Sequence, residues 1–240
     1  MATIRLENVT KHYHSGEHQG PAIEDVSLTV NQGEFLFLVG SRGAGKSTLL
    51  SIVAGNASPT SGTIYLDGVP VRRLSLMQRS RLRALVGWVP QEPSLVRNKT
   101  VRWNLTPKNP VALLEDSLGG DPLISKALGL VGMPGVEERY PLEFSYSDCR
   151  RIELAKAILH SPAILIMDEV TDRMDDDTTW DLLHLLSELN AHGTTVIMVT
   201  NASRYINIYR KRVVTMADGH IVSDTPRGRY DTYASRGRYR

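Results

Sequence analysis

The stretch Gly40-Ser41-Arg42-Gly43-Ala44-Gly45-Lys46-Ser47-Thr48 constrains this chain more than any other. It follows the apolar run "EFLFLV" and leads into "TLLSIVAG", so a strand, a glycine-rich turn and a helix come in the order that aims a helix amino terminus at a phosphate. The glycines let backbone N–H groups converge on phosphate oxygens. Lys46 reaches toward the β- and γ-phosphates, and Ser47 offers a hydroxyl to Mg²⁺.

Strands are expected at about 3–8, 34–39, 62–66, 163–167, 195–199 and 212–216, because each is short, apolar or alternating, and bounded by turn residues. Helical spacing separates the later ones, over 46–55, 148–160 (Ile152, Ala155, Ala157, Ile158) and 175–190 (Trp180, Leu183, Leu186, Leu189). The alternation predicts an α/β fold with a mainly parallel sheet. "LDG" at 66–68 and "ADG" at 217–219 read as hairpin turns that add antiparallel strands to that sheet. Residues 100–143, broken by Pro107, Pro110, Pro122, Pro134 and Pro141, read as a smaller helical lobe.

A phosphate loop of this kind works with an acid on a second buried strand, and "AILIMDE" at 163–169 supplies one. Asp168 is placed to hold magnesium, and Glu169 to orient or deprotonate an attacking water.

The bulk numbers are compatible with one large α/β domain. The chain has 240 residues, a formal charge of +2, 22% charged and 41% hydrophobic residues, a balance that argues against a dedicated nucleic-acid binder. Cys149 is the single cysteine, so no internal disulfide forms and a reducing compartment, the cytosol, is expected. "MATIRLENVT" alternates like a half-buried strand rather than a signal peptide. The longest apolar runs fall well short of the roughly 20 residues that cross a bilayer.

In the order of its landmarks the chain resembles the ATP-binding cassette ATPases, from about residue 3 to 222. Tyr13 in "KHYHSG" matches the aromatic that stacks on adenine, Gln91 in "GWVPQEPSL" the Q-loop glutamine that touches Mg²⁺ and the attacking water, and Asp175 in "TDRMD" the D-loop acid. Asp175 equally suits a helix amino terminus. The nearest subfamily is the cell-division cassette FtsE, on "ENVTKHY", "GEFLFLVGSRGAGKSTLL", "SPTSGTIYLDG" and "TVRWNL"; the lipoprotein-release and macrolide-export cassettes are close neighbours. The resemblance implies ATP and Mg²⁺ as cofactors and a P-loop domain over 1–224 with a helical subdomain at about 92–158. It also implies a nucleotide-dependent homodimer on the cytoplasmic face of the membrane, with an integral partner of the FtsX type docked near Gln91 and the helical lobe. "RNKTVRWNL", with Arg97, Trp103 and Leu105, would offer the partner exposed anchors.

Three departures from the family pattern bear on chemistry. The signature, usually Leu-Ser-Gly-Gly-Gln, is presented by one subunit to the γ-phosphate of the other; here it reads Phe144-Ser145-Tyr146-Ser147-Asp148. Ser145 keeps its hydroxyl and Ser147 its backbone N–H, but Tyr146 adds bulk where close backbone approach is wanted. Asn201 stands where the family places a switch histidine, and an amide neither becomes a cation nor shuttles a proton near neutral pH. Arg42 stands where the subfamily usually has serine; it either adds a charge-assisted phosphate contact or faces solvent. The expectation is secure ATP·Mg²⁺ binding with slow or conditional hydrolysis. A nucleotide-dependent scaffold without turnover, and a heterodimer with a second cassette that supplies an intact signature, are the alternatives.

Residues 225–240 repeat "RGRY" and are expected to form a flexible basic tail, with attraction to anionic lipid as the sharper reading. Cys149 is expected to be a small semi-buried residue, and no structural metal is expected.

Overall fold

The computed structural model describes residues 3–13, 20–75, 77, 78, 83–106 and 120–230. Along the chain the strands are β1 (Ile4–Lys11), β2 (Ile23–Val30), β3 (Phe35–Gly40), β4 (Ser61–Leu66), β5 (Val69–Pro70), β6 (Val86–Val89), β7 (Ile164–Asp168), β8 (Thr195–Val199), β9 (Arg212–Ala217) and β10 (His220–Thr225). The helices are α1 (Lys46–Val53), α2 (Val101–Leu105), α3 (Gly120–Leu130), α4 (Tyr146–Ile158), α5 (Asp176–Ala191) and α6 (Ser203–Tyr209).

The strands form a six-stranded sheet in the order β10-β9-β3-β8-β7-β6, parallel except for β10, and a four-stranded antiparallel sheet in the order β2-β1-β4-β5. The six strands expected from the sequence are all present. The "ADG" turn joins β9 to β10 on the main sheet as expected. The "LDG" turn does not: it joins β4 to β5 in the antiparallel sheet, because β4 pairs with β1 rather than with any strand of the parallel sheet.

Strands β3, β7 and β8 are buried along their whole length, which is why they read as continuous apolar runs. Their period of two divides the core. Phe35, Phe37, Val39, Leu165, Met167, Val196 and Met198 face α4, α5 and the helical lobe, whereas Leu36, Leu38, Ile166, Ile197 and Val199 face α1 and the antiparallel sheet. Each such side chain contributes about 1.5–3 kcal/mol by leaving water. Register then sets the site: Leu38 and Asp168 both pair with Val199, so β3, β7 and β8 end side by side.

Arg212 ties the two sheets together. Its guanidinium donates to the Thr29 carbonyl at 2.8 Å, to Glu34 at 2.9 Å and to both Asp224 oxygens at 2.8 and 2.6 Å. These bonds, those of Asp224 foremost, hold its pKa above the usual arginine value. Arg212→Ala is expected to cost about 2 kcal/mol by leaving these acceptors unmatched. That lowers the unfolding temperature by roughly 4–8 °C in a domain of this size, read by thermal unfolding.

The packed chain continues past residue 224, where a tail was expected to begin. Tyr230 is buried in the main core, its backbone N–H and carbonyl both bonded to the Asn207 side chain, and Gly228 N–H donates to the Lys211 carbonyl. Residues 231–240 of the expected tail lie outside the described residues, as do Pro107 and Pro110 of the helical lobe. Leu105 also departs from its expected role as an exposed anchor: it is buried against the lobe core, while Trp103 on the same short helix stays exposed. In a five-residue helix, positions two apart fall on opposite faces.

Candidate nucleotide site

The turn between β3 and α1 can be built only from glycine at two points. A β-carbon on Gly40 would lie 2.2 Å from the Met216 carbonyl oxygen, and one on Gly45 would lie 2.5 Å from that of Ala22. Gly40, Gly43 and Gly45 all have positive φ, and Ala44 is buried beneath the turn. Gly45 ends the turn at the start of α1 without any side-chain cap, which leaves the first N–H groups of that helix for an outside acceptor. Ser41, Arg42, Gly43 and Ser47 are exposed at its mouth, and Thr48 is half-buried.

Lys46 is buried and bent back over the loop, its ammonium donating to the carbonyls of Gly40 and Ser41 at 2.9 Å each. It lies 3.5 Å from a Glu169 carboxylate oxygen, and the other oxygen of Glu169 accepts from the Gln91 amide at 2.8 Å. Lys46, Glu169 and Gln91, far apart in sequence, thus form one connected set. Glu169 holds φ at 48°, a left-handed conformation that costs a non-glycine residue roughly 1–2 kcal/mol. Its N–H donates to the Val199 carbonyl at the end of β8. Strain of this kind is found where function fixes a side chain's direction.

Asp168 is almost wholly buried at the end of β7, and its Oδ1 is a buried acceptor with no partner among the described residues. Burial pushes its carboxyl above the usual range and the Glu169 charge adds to this, while a hydrogen bond from Ser47 and the charges of Lys46 and Arg150 pull the other way. An orphaned carboxylate oxygen beside a serine hydroxyl is an oxygen-donor set suited to a small hard cation. Ser47 and Asp168 therefore fit Mg²⁺, which when bound would neutralise charge developing on the phosphate oxygens. Asn201 lies two residues beyond Val199, and its Oδ1 is likewise buried without a partner. Tyr13 is 48% exposed with the Lys11 ammonium 5.1 Å from its ring centre. It follows β1, whose Lys11 carbonyl accepts from Ala22, and the Ala22 carbonyl lies against Gly45.

The signature segment has turned inward on itself. Ser145 caps α4, donating from its hydroxyl to Asp148 at 2.7 Å while accepting from the Asp148 N–H at 3.1 Å. The Tyr146 ring lies under the Arg173 guanidinium, 5.5 Å away, and Arg173 pairs with Glu92 at 3.2 Å. Ser145 is exposed and Ser147 half-buried, and neither hydrogen-bonds to the phosphate loop among the described residues. Sequence reading missed the role of Asp148, although Ser-x-x-Asp ahead of a helix is a capping pattern. Asp175 caps α5 through Thr178 N–H and hydroxyl, 2.8 Å each, and these bonds, the backbone one first, lower its pKa. Cys149 is half-buried as expected, and burial pushes its thiol up, away from reactive thiolate character.

A family model described as ABC transporter matches residues 23–172, from the start of β2 through the glycine turn, Gln91, the signature segment and Glu169. The chain belongs to the ATP-binding cassette family. Within it, this cassette falls in the FtsE branch. It is 34% identical over 232 residues to the cell division ATP-binding protein FtsE of Mycobacterium tuberculosis (strain ATCC 25618 / H37Rv), covering 95% of this chain and 97% of that one. It is 33% identical over 221 residues to FtsE of Escherichia coli (strain K12), covering 91% and 96%. Among solved structures it superposes on a dimeric bacterial ABC transporter cassette with a TM-score of 0.82 at 27% identity, covering 95% of this chain and all of the other. The same cassette as a dimer in a post-hydrolysis state bound to ADP and Pi gives 0.78 at 26% identity, with 95% and 100% covered. Such cassettes bind ATP.

Proposed function

We propose that this cassette is the ATP-binding subunit of a cell-division ABC complex at the cytoplasmic face of the membrane. In this reading it works with an integral partner of the FtsX type, closes as a dimer on ATP·Mg²⁺, and turns over slowly. Among the described residues no helix is long and apolar enough to cross a membrane, so attachment falls to the partner. The docking face is the cleft of about 360 Å³ between the Q-loop and the signature segment, lined by Glu92, Leu95, Arg97, Phe144 and Cys149. Trp103 and Leu142 are exposed on the same lobe.

The observation that carries slow turnover is the contrast between the two halves of the site. The phosphate loop, Lys46, Asp168 and Glu169 are assembled, whereas the Ser145 hydroxyl is committed to Asp148 and side chains replace both signature glycines. Binding within a subunit is preserved and transition-state contact across the dimer is weakened, so kcat falls more than affinity.

Steady-state phosphate release by the wild type and by Glu169→Gln tests this. The expected result is slow but measurable wild-type release, reduced by the variant toward background, about 10²-fold or more where a general base is lost, with ATP affinity retained. A wild type as silent as the variant while still binding ATP would establish a scaffold instead. Brisk release by the wild type alone would overturn the weakened signature.

A further inference from the structure

Arg150 and Glu153, one turn apart on α4, are both almost completely buried, and besides bonding each other they reach out of the helix. Arg150 Nη1 donates to Glu153 at 2.6 Å, and Nη2 donates to the Pro90 carbonyl at 2.5 Å. The other Glu153 oxygen accepts the backbone N–H of Ser94. The pair thus holds the Q-loop on both sides of Gln91, one bond at the residue before it and one three residues after. Gln91 in turn donates to Glu169, which faces Lys46.

Stability alone is a poor account of this pair. Taking two charges out of water costs several kcal/mol each, and a well-packed apolar pair of similar volume usually serves a core as well or better. Burial pushes the Glu153 carboxyl up, and Arg150 Nε is buried with no partner among the described residues, a further cost. What an apolar pair cannot supply is a donor for the Pro90 carbonyl and an acceptor for the Ser94 N–H. Those bonds determine where the loop runs.

We propose that Arg150 and Glu153 are positioning residues for the nucleotide site, fixing residues 90–94 so that Gln91 stays against Glu169 and within reach of the Mg²⁺ position. The role assigned to Gln91 rests on the cassette reading; the restraint on the loop does not. Because α4 begins at the signature Ser145, the pair also makes the signature helix and the Q-loop move as one piece. Any tilt of α4 on dimer closure is delivered to Gln91, and any push on the Q-loop from a docked partner is delivered to the signature.

The test uses Arg150→Met/Glu153→Leu in the full chain, with Arg150→Lys as the milder variant that keeps the charge and loses the two-pronged fork. In nucleotide-free protein the double variant is expected to unfold within a few degrees of wild type, while the Ser94 amide exchanges at least tenfold faster. The Mg²⁺ concentration for half-maximal ATP binding is expected to rise three- to tenfold, as in Gln91→Ala, and adding Gln91→Ala to the double variant should raise it no further. Arg150→Lys shifts both readouts in the same direction by less. A purely structural pair would change the unfolding temperature and leave the Mg²⁺ requirement alone. Unchanged Ser94 exchange, or a wild-type Mg²⁺ requirement, in both variants overturns the proposal. Failure of ATP to bind the wild type any better than Lys46→Ala would remove the cassette reading of Gln91, and Ser94 exchange would still decide the loop restraint.

Discussion

Tyr146→Gly/Ser147→Gly is expected to raise steady-state ATP turnover by about 10- to 100-fold while leaving ATP affinity nearly unchanged. In the dimer proposed above, the amino terminus of α4 would meet the terminal phosphate held by the facing loop, and a misplaced transition-state donor costs about 10²–10³ in kcat. Here Tyr146 is drawn under Arg173 and Ser145 is bonded to Asp148. Glycines at 146 and 147 remove the ring and its contact with Arg173 and widen the backbone conformations open to the cap. They also weaken the first turn of α4 by roughly 1 kcal/mol in total, so a small fall in unfolding temperature accompanies the gain. The alanine pair at the same positions removes the ring but restores less flexibility, and should fall between. Turnover that stays at the wild-type level in the glycine pair, with the fold intact, would mean that the signature is not what limits the rate.

The parts of this molecule that could be read from the sequence are those in which local pattern and tertiary role coincide. The runs "FLFLV", "ILIMD" and "TVIMV" are strands because they are buried on both faces, and burial on both faces is what a continuous apolar run encodes. The glycine turn was legible because its geometry forbids β-carbons, and Asp168 because an acid ending such a strand has few structural uses. The strand β2 was missed: its alternation is interrupted by Glu24 and Asp25, and it exists because it pairs with β1. The four-residue β6 was missed for a related reason. Gly87 reads as a breaker, yet it is needed where a β-carbon would lie 2.4 Å from the Ala157 carbonyl oxygen. The packing of Tyr230 was hidden by the basic composition around it, since its hold depends on Asn207, more than twenty residues away. Arg150 and Glu153 gave no signal at all. A charged pair one turn apart on a helix ordinarily reads as a solvated salt bridge, and only the arrival of the Q-loop over it makes the pair buried.

Asp168→Asn should produce two opposite effects in one molecule, more stability without nucleotide and less with it. Asp168 is buried, one of its oxygens has no partner among the described residues, and burial raises its pKa. A carboxyl whose native pKa is raised holds its proton more tightly when folded. Its favourable contribution is therefore complete below the unfolded value near 3.8 and is lost as pH rises through the elevated native value. At neutral pH the ionised group opposes folding, and the neutral amide removes that opposition. The expected gain is a rise in unfolding temperature at neutral pH that shrinks as pH is lowered toward 4. With saturating ATP and Mg²⁺ the order reverses. A ligand at a hundred times its Kd adds about 2.7 kcal/mol to the wild type, whereas the variant lacks the anionic oxygen that would hold the cation if Asp168 is a Mg²⁺ ligand as proposed, and should show a tenfold or greater loss of Mg²⁺-dependent binding. Thermal unfolding of both proteins at pH 5 and 7.5, with and without ATP·Mg²⁺, reads all of this at once. A variant less stable than wild type without nucleotide would show that Asp168 is held by more than burial allows, and a variant with the full nucleotide shift would show that the cation is carried elsewhere.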